Sequence, residues 1–90
     1  MIISFSEDRA WYDFLRWIKD DKKTFERINK LIEDIKRNGN EGYGHPEHLT
    51  GNHSGWWSRR IDEKNKLIYR IVDNEVIEII QCKGHYDDKK

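Results

Sequence analysis

Six side chains in the second half of this chain carry the groups needed to break a phosphodiester bond: Glu47, Arg59, Arg60, Lys66, His85 and Tyr86. Metal-free RNA cleavage needs a base to take the proton from a 2′-OH and cations to neutralise charge growing on the phosphate. It also needs an acid for the departing 5′-oxygen. Histidine, whose unperturbed pKa lies nearest neutrality, suits the acid role. Each residue also has an ordinary reading. Glu47 could be a solvated loop carboxylate, Arg59-Arg60 plain strand surface, and His85-Tyr86 a frayed terminus.

Other chemistries fit the residues less well. His45, His48, His53 and His85 show no recognised metal-ligand spacing, so neither a metal site nor a cofactor site is expected. Gly42, Gly44, Gly51 and Gly55 match neither the dinucleotide nor the P-loop pattern and read as turn residues. The single cysteine, Cys82, cannot form an internal disulfide, which suits a reducing cytosol. It closes an apolar run, where a buried thiol is the expected state.

The bulk numbers bound the fold more than the function. Ninety residues make a single domain, 1–90, with 87–90 a short polar tail. A chain of this size hides only about 60–65% of its unfolded surface, so large side chains must fill the core. Four tryptophans, four tyrosines and three phenylalanines meet that need. Seventeen basic residues balance 17 acidic ones. The balance holds in each half of the chain, so any RNA site must be a local basic patch. No apolar run is long enough to span a membrane, and no signal peptide precedes Ser6, so a cytoplasmic location is expected.

The elements that must position these groups follow from periodicity. Ile2-Ile3-Ser4-Phe5 reads as a short strand, with Ser6 as a helix cap. Trp11, Phe14, Leu15 and Ile18 form one helical stripe. Phe25, Ile28, Leu31, Ile32 and Ile35 form a second, with Asp20-Asp21 as a cap before it and Asn38-Gly39 as its stop. An irregular loop through Gly42, Gly44 and Pro46 leads to a possible short strand at Glu47-His48-Leu49. Strands are then expected at Trp56–Asp62, Lys66–Val72 and Val76–Cys82, joined by turns at Glu63–Asn65 and Asp73-Asn74. The last strand is apolar enough to lie centrally, buried on both faces. The pattern predicts an α+β fold: an N-terminal helical hairpin packed on a twisted antiparallel sheet of four or five strands.

Taken in order, the residues resemble a known family. The string Glu41-Gly42-Tyr43-Gly44-His45-Pro46-Glu47-His48-Leu49 is followed by Ser54-Gly55-Trp56-Trp57-Ser58-Arg59-Arg60-Ile61, then Leu67-Ile68-Tyr69, then His85-Tyr86. This succession resembles the YoeB/Txe toxins of the RelE superfamily, over almost the whole chain. The resemblance implies a metal-independent endoribonuclease, the toxin of a toxin–antitoxin system, that cleaves messenger RNA in the ribosomal A site. It implies Glu47 as general base, His85 as general acid, Arg60 on the scissile phosphate and Tyr86 orienting the RNA. The partners it implies are a cognate antitoxin and the ribosome, with a homodimer left open and no membrane.

The chain departs from the family pattern at four points. Lys66 stands where a catalytic arginine is expected, and Thr50 where a basic residue often follows the Glu-x-Leu segment. Asp87-Asp88-Lys89-Lys90 extends past the His-Tyr pair, and the net charge is zero rather than basic. Lys66 keeps a positive charge and so remains a candidate site residue. Two rival readings survive these departures: a catalytically weak or inactive RNA- or ribosome-binding domain, and a structural module that holds an antitoxin.

Overall fold

The computed structural model describes residues 1–84. In chain order the elements are β1 (Ile2–Phe5), α1 (Asp8–Asp20), α2 (Lys22–Asn38), β2 (Glu47–His48), a 3-10 turn (Gly51–His53), β3 (Trp57–Arg60), β4 (Lys66–Val72) and β5 (Val76–Gln81). The strands form one five-stranded sheet in the order β1-β5-β4-β3-β2. Both helices cover one of its faces. Among the described residues, no helix is long and apolar enough to cross a membrane.

The antiparallel run β2-β3-β4-β5 is the expected meander. Its last turn, Asp73-Asn74, has positive φ at both residues, and the Glu75 amide donates to the Val72 carbonyl at 3.0 Å. That geometry matches the right-handed twist of the flanking strands. The sheet is mixed rather than wholly antiparallel, because β1 runs parallel to β5, with Ile2 opposite Val76. Parallel neighbours need a long crossover, and here both helices and the meander supply it.

Two expectations about burial need correction. β4, not β5, is the central strand, with Leu67, Ile68 and Tyr69 fully buried. β5 buries Ile77 and Ile79 against the helices, while its other face carries Glu78, ion-paired with Arg70 of β4. Only one sheet face has helices on it, so no strand is covered on both sides by a helical layer. The register also shifts: Tyr69 faces Ile79 but Ile68 faces Gln81, leaving Ile80 as the extra residue of a β-bulge.

The second correction concerns α1, which is rotated relative to the expected stripe. Ala10, Phe14 and Trp17 face the core, whereas Trp11, Leu15 and Ile18 are exposed. The small Ala10 lets the helix approach the sheet, where its carbonyl accepts from Cys82 Sγ at 3.5 Å. Trp17 Nε1 donates to the Cys82 carbonyl at 3.0 Å, fixing the rotation. Ser6 is not the cap. Glu7 holds that position without a side-chain hydrogen bond, and Ser6 Oγ donates to Glu78 Oε2 at 3.3 Å. Asp21 does cap α2, accepting from the Thr24 amide at 3.2 Å. At the far end of that helix Gly39 takes the positive φ foreseen for it.

Candidate active site

The strand pairing gathers Glu47, Arg60 and Lys66 on the sheet face away from the helices. Glu47 of β2 lies opposite Ser58 of β3, and Arg60, two residues on, lies opposite Lys66 of β4. Opposed residues share a face, as do residues two apart on one strand. Glu47, Ser58, Arg60 and Lys66 therefore rise from the same side. Lys66 Nζ reaches to 4.0 Å from Glu47 Oε1, crossing β3 diagonally, and Ser58 beside it is small and buried. Arg60 is exposed at the end of β3.

The chain beyond β5 is fastened to this same corner. The Lys66 amide donates to the Gly84 carbonyl at 2.9 Å, and the Gly84 amide donates to Asn65 Oδ1 at 2.8 Å. Gln81 Nε2 also donates to the Gly84 carbonyl, at 3.2 Å. His85 and Tyr86 lie outside the described residues. Asp62 shapes the turn before Lys66: its carboxylate accepts from the amides of Lys64 and Asn65 and from the Asn65 side chain. Those bonds outweigh burial and hold its pKa below the ordinary value.

Both readings of Arg59, as a candidate phosphate cation and as plain strand surface, are overturned: its side chain is fully buried on the helix side. Its guanidinium forms an ion pair with Asp34 of α2, itself 6% exposed. It also donates to three loop carbonyls: Gly39 at 2.7 Å, Glu41 at 2.8 Å and Tyr43 at 3.1 Å. Its Nε donates to Tyr69 Oη at 3.2 Å. A buried guanidinium is tolerable only when its donors are met, and here they are. The bond from Arg59 holds the Asp34 carboxyl below its usual pKa, against the opposing pull of burial.

This pair organises the loop that delivers Glu47. Asp34 also accepts from the Tyr43 amide at 3.1 Å and from Asn38 Nδ2 at 2.7 Å. A β-carbon on Gly42 would sit 1.9 Å from Asp34 Oδ2, and one on Gly44 would press on Leu31 and the Arg60 backbone. Both glycines also have positive φ. They are turn residues as expected, but what each position requires is close approach, Gly42 to the Asp34 carboxylate and Gly44 to the β3 backbone and Leu31. Sequence reasoning missed Asp34 and the role of Arg59. One signal was available: adjacent strand residues face opposite ways, so Arg59 and Arg60 cannot both lie on one face.

Among the described residues, no group of three or more His, Cys, Asp or Glu side chains is placed to hold a metal. Cys82 is buried as expected, and desolvation, aided by Asp13, pushes its thiol pKa up to about 12.

Two helices thus cover one face of a mixed five-stranded sheet, and a carboxylate and two cations stand on the opposite face. The comparison with known proteins narrows this further. A model of the YoeB-like toxin of the bacterial type II toxin–antitoxin system matches residues 5–86, and the chain belongs to that family. The Toxin YoeB of Streptomyces coelicolor is 43% identical over 96% of this chain and 100% of its own. Among solved structures, the heterotetrameric YoeB-YefM toxin-antitoxin complex from Staphylococcus aureus matches with a TM-score of 0.88 and 41% identity, covering 96% of this chain and 98% of that one. The YoeB dimer from Staphylococcus aureus matches with a TM-score of 0.86 and 42% identity over the same shares.

Proposed function

We propose that this toxin is a metal-independent endoribonuclease that cleaves messenger RNA on the ribosome. The observation that carries the reading is the convergence of Glu47, Lys66 and Arg60 on one open sheet face, with Glu47 and Lys66 4.0 Å apart. Glu47 takes the proton from a ribose 2′-OH, whose oxygen attacks the adjacent phosphorus. Lys66 and Arg60 neutralise charge on the non-bridging oxygens as the bond to the 5′-oxygen breaks. His85 gives that oxygen its proton, and Tyr86 orients the RNA. The products are a 2′,3′-cyclic phosphate and a free 5′-OH. The fastening of Gly84, the residue before His85 in sequence, to the Lys66 amide supports this assignment.

Zero net charge favours dependence on the ribosome, which supplies binding area and holds the message in place. The test compares one message in a translation mixture and in plain buffer. Cleavage is expected in the first and little in the second. Equal rates would remove the ribosome requirement, and no cleavage in either would favour a binding module.

The relatives' structures support a protein partner as well, since one is a complex with the antitoxin YefM and another is a dimer. Trp11, Leu15 and Ile18 leave α1 an exposed apolar side of the kind such partners cover. A cognate antitoxin is expected to co-purify with the chain and suppress its cleavage. The free protein is expected to be a dimer on sizing, in a cytoplasmic setting.

A further inference from the structure

A cleft of about 570 Å³ lies between α2 and the loop before β2, away from Glu47 and Lys66. Arg27, Lys30, Arg37 and Tyr43 line it, with Glu33 and Asp34 among its walls. Residues 27, 30, 34 and 37 recur at helical spacing, so they form one stripe along α2. Both carboxylates are already committed. Glu33 is ion-paired with Lys36 at 3.2 Å, and Asp34 is turned inward to Arg59. Three cations therefore face the cleft without a matching anion of its own. This is the local basic patch that the neutral overall charge conceals.

Tyr43 gives the cleft a second kind of group. It is 59% exposed, yet its backbone is held on both sides, its amide by Asp34 at 3.1 Å and its carbonyl by Arg59 at 3.1 Å. An exposed ring on an immobilised backbone loses little freedom when something stacks on it. Positive charge beside an open aromatic face is how single-stranded nucleic acid is held without reading its sequence. The cleft also adjoins the proposed catalytic face. Arg27 donates through Nη2 to the Arg60 carbonyl at 3.5 Å and through Nε to the Ile61 carbonyl at 3.4 Å.

We infer that this cleft is a second RNA subsite, in which a base of the single strand stacks on Tyr43 and successive phosphates meet Arg27, Lys30 and Arg37. The inference rests on the RNA-cleaving reading but concerns residues outside its chemistry. An RNA strand crossing Arg60 would turn over the end of β3 and enter the cleft.

The test uses a short, fluorescein-labelled single-stranded 2′-O-methyl RNA, which cannot be cleaved by 2′-OH attack, at low salt. Tyr43→Ala is expected to weaken binding about tenfold, within the range of one base–aromatic stack, while Tyr43→Phe binds like the parent. Lys30→Gln combined with Arg37→Gln is expected to lower the slope of log affinity against log salt by about 1.4, the loss of two phosphate contacts to a single strand. Circular dichroism establishes that each variant folds. No binding by the parent at low salt, or parental affinity and salt slope in the cleft variants, overturns the subsite. So does a cleft that binds an acidic peptide in preference to the RNA, which would assign it to a protein partner. Cleavage of a translated message by the parent tests the enzymatic reading separately and does not depend on these outcomes.

Discussion

Lys66 Nζ lies 4.0 Å from Glu47 Oε1, although their strands are not neighbours and β3 runs between them. Glu47 lies opposite Ser58 and Lys66 opposite Arg60, so the contact crosses β3 diagonally, a span both long side chains can cover. The proposed base and one proposed phosphate cation therefore meet over β3. A phosphate seated there would have Glu47 and Lys66 on one side and Arg60 beyond.

Lys66→Ala is expected to lower single-turnover cleavage at least tenfold, about 1.4 kcal/mol of transition-state stabilisation. Lys66→Arg should match or exceed the parent, because a guanidinium adds a planar, two-pronged grip on phosphate to the same charge. Rates on a translated message, with folding checked by circular dichroism, decide it. A folded alanine variant at full speed would return Lys66 to the solvated surface and leave Arg60 as the main cation.

Glu47→Gln and His85→Gln should each fold normally and lose about 10²–10⁴-fold in cleavage, the usual contribution of a general acid or base. Primer extension on a translated message reads both. Near-parental cutting by either variant would remove that residue from proton transfer.

Asp34→Asn breaks a buried ion pair without changing shape, and is expected to destabilise the fold by about 3 kcal/mol. This is the lower end of the range for such pairs, because Arg59 keeps its three carbonyl acceptors. The folded-state pKa of Asp34 is depressed, so the stability it contributes is full above the unfolded value, about 3.9, and is lost as pH falls through the folded one. Thermal melting from pH 7 down to pH 2 should show the parent losing this increment below about pH 4. The Asn variant should start lower and show a flatter acid limb. An identical acid limb in the two proteins would show that other carboxylates govern acid unfolding.

Cys82 should resist thiol reagents in the native protein at pH 8 and react readily once denatured. Its sulfur is fully buried, and the thiolate is disfavoured by desolvation. Stoichiometric native labelling within seconds would mean that α1 lifts from the sheet on that timescale, since Ala10 covers the sulfur.

The strands of the meander were legible because their alternation is strong and their turns are marked. Leu67, Tyr69 and Ile71 gave β4 its bounds, and Asp73-Asn74 gave the turn after it. The nearness of Lys66 to the end of the Arg59-Arg60 strand followed from the turn between them, whereas Glu47 was singled out through the family resemblance. The rotation of α1 was not legible, since its two apolar stripes compete and the smallest residue, Ala10, rather than the largest, decides which one meets the sheet. Arg59 was hidden for a related reason. A guanidinium reads as surface until its acceptors are known, and these come from a carboxylate 25 residues away and from loop carbonyls that carry no signature in side-chain type. The parallel pairing of β1 with β5 had no local signal at all.

That pairing bears on how the protein is made. Residues 2–5 are made well before the strand they pair with, which spans residues 76–81. Until that strand exists, β4 also lacks a neighbour on one side, and the two helices have only part of a sheet to cover. Contacts this distant along a chain form late, because the loop between them must be closed first. The sheet that presents Glu47, Arg60 and Lys66 is therefore completed only once residues 76–81 have been made. Whatever this toxin does with that face must wait until β5 has been made and paired.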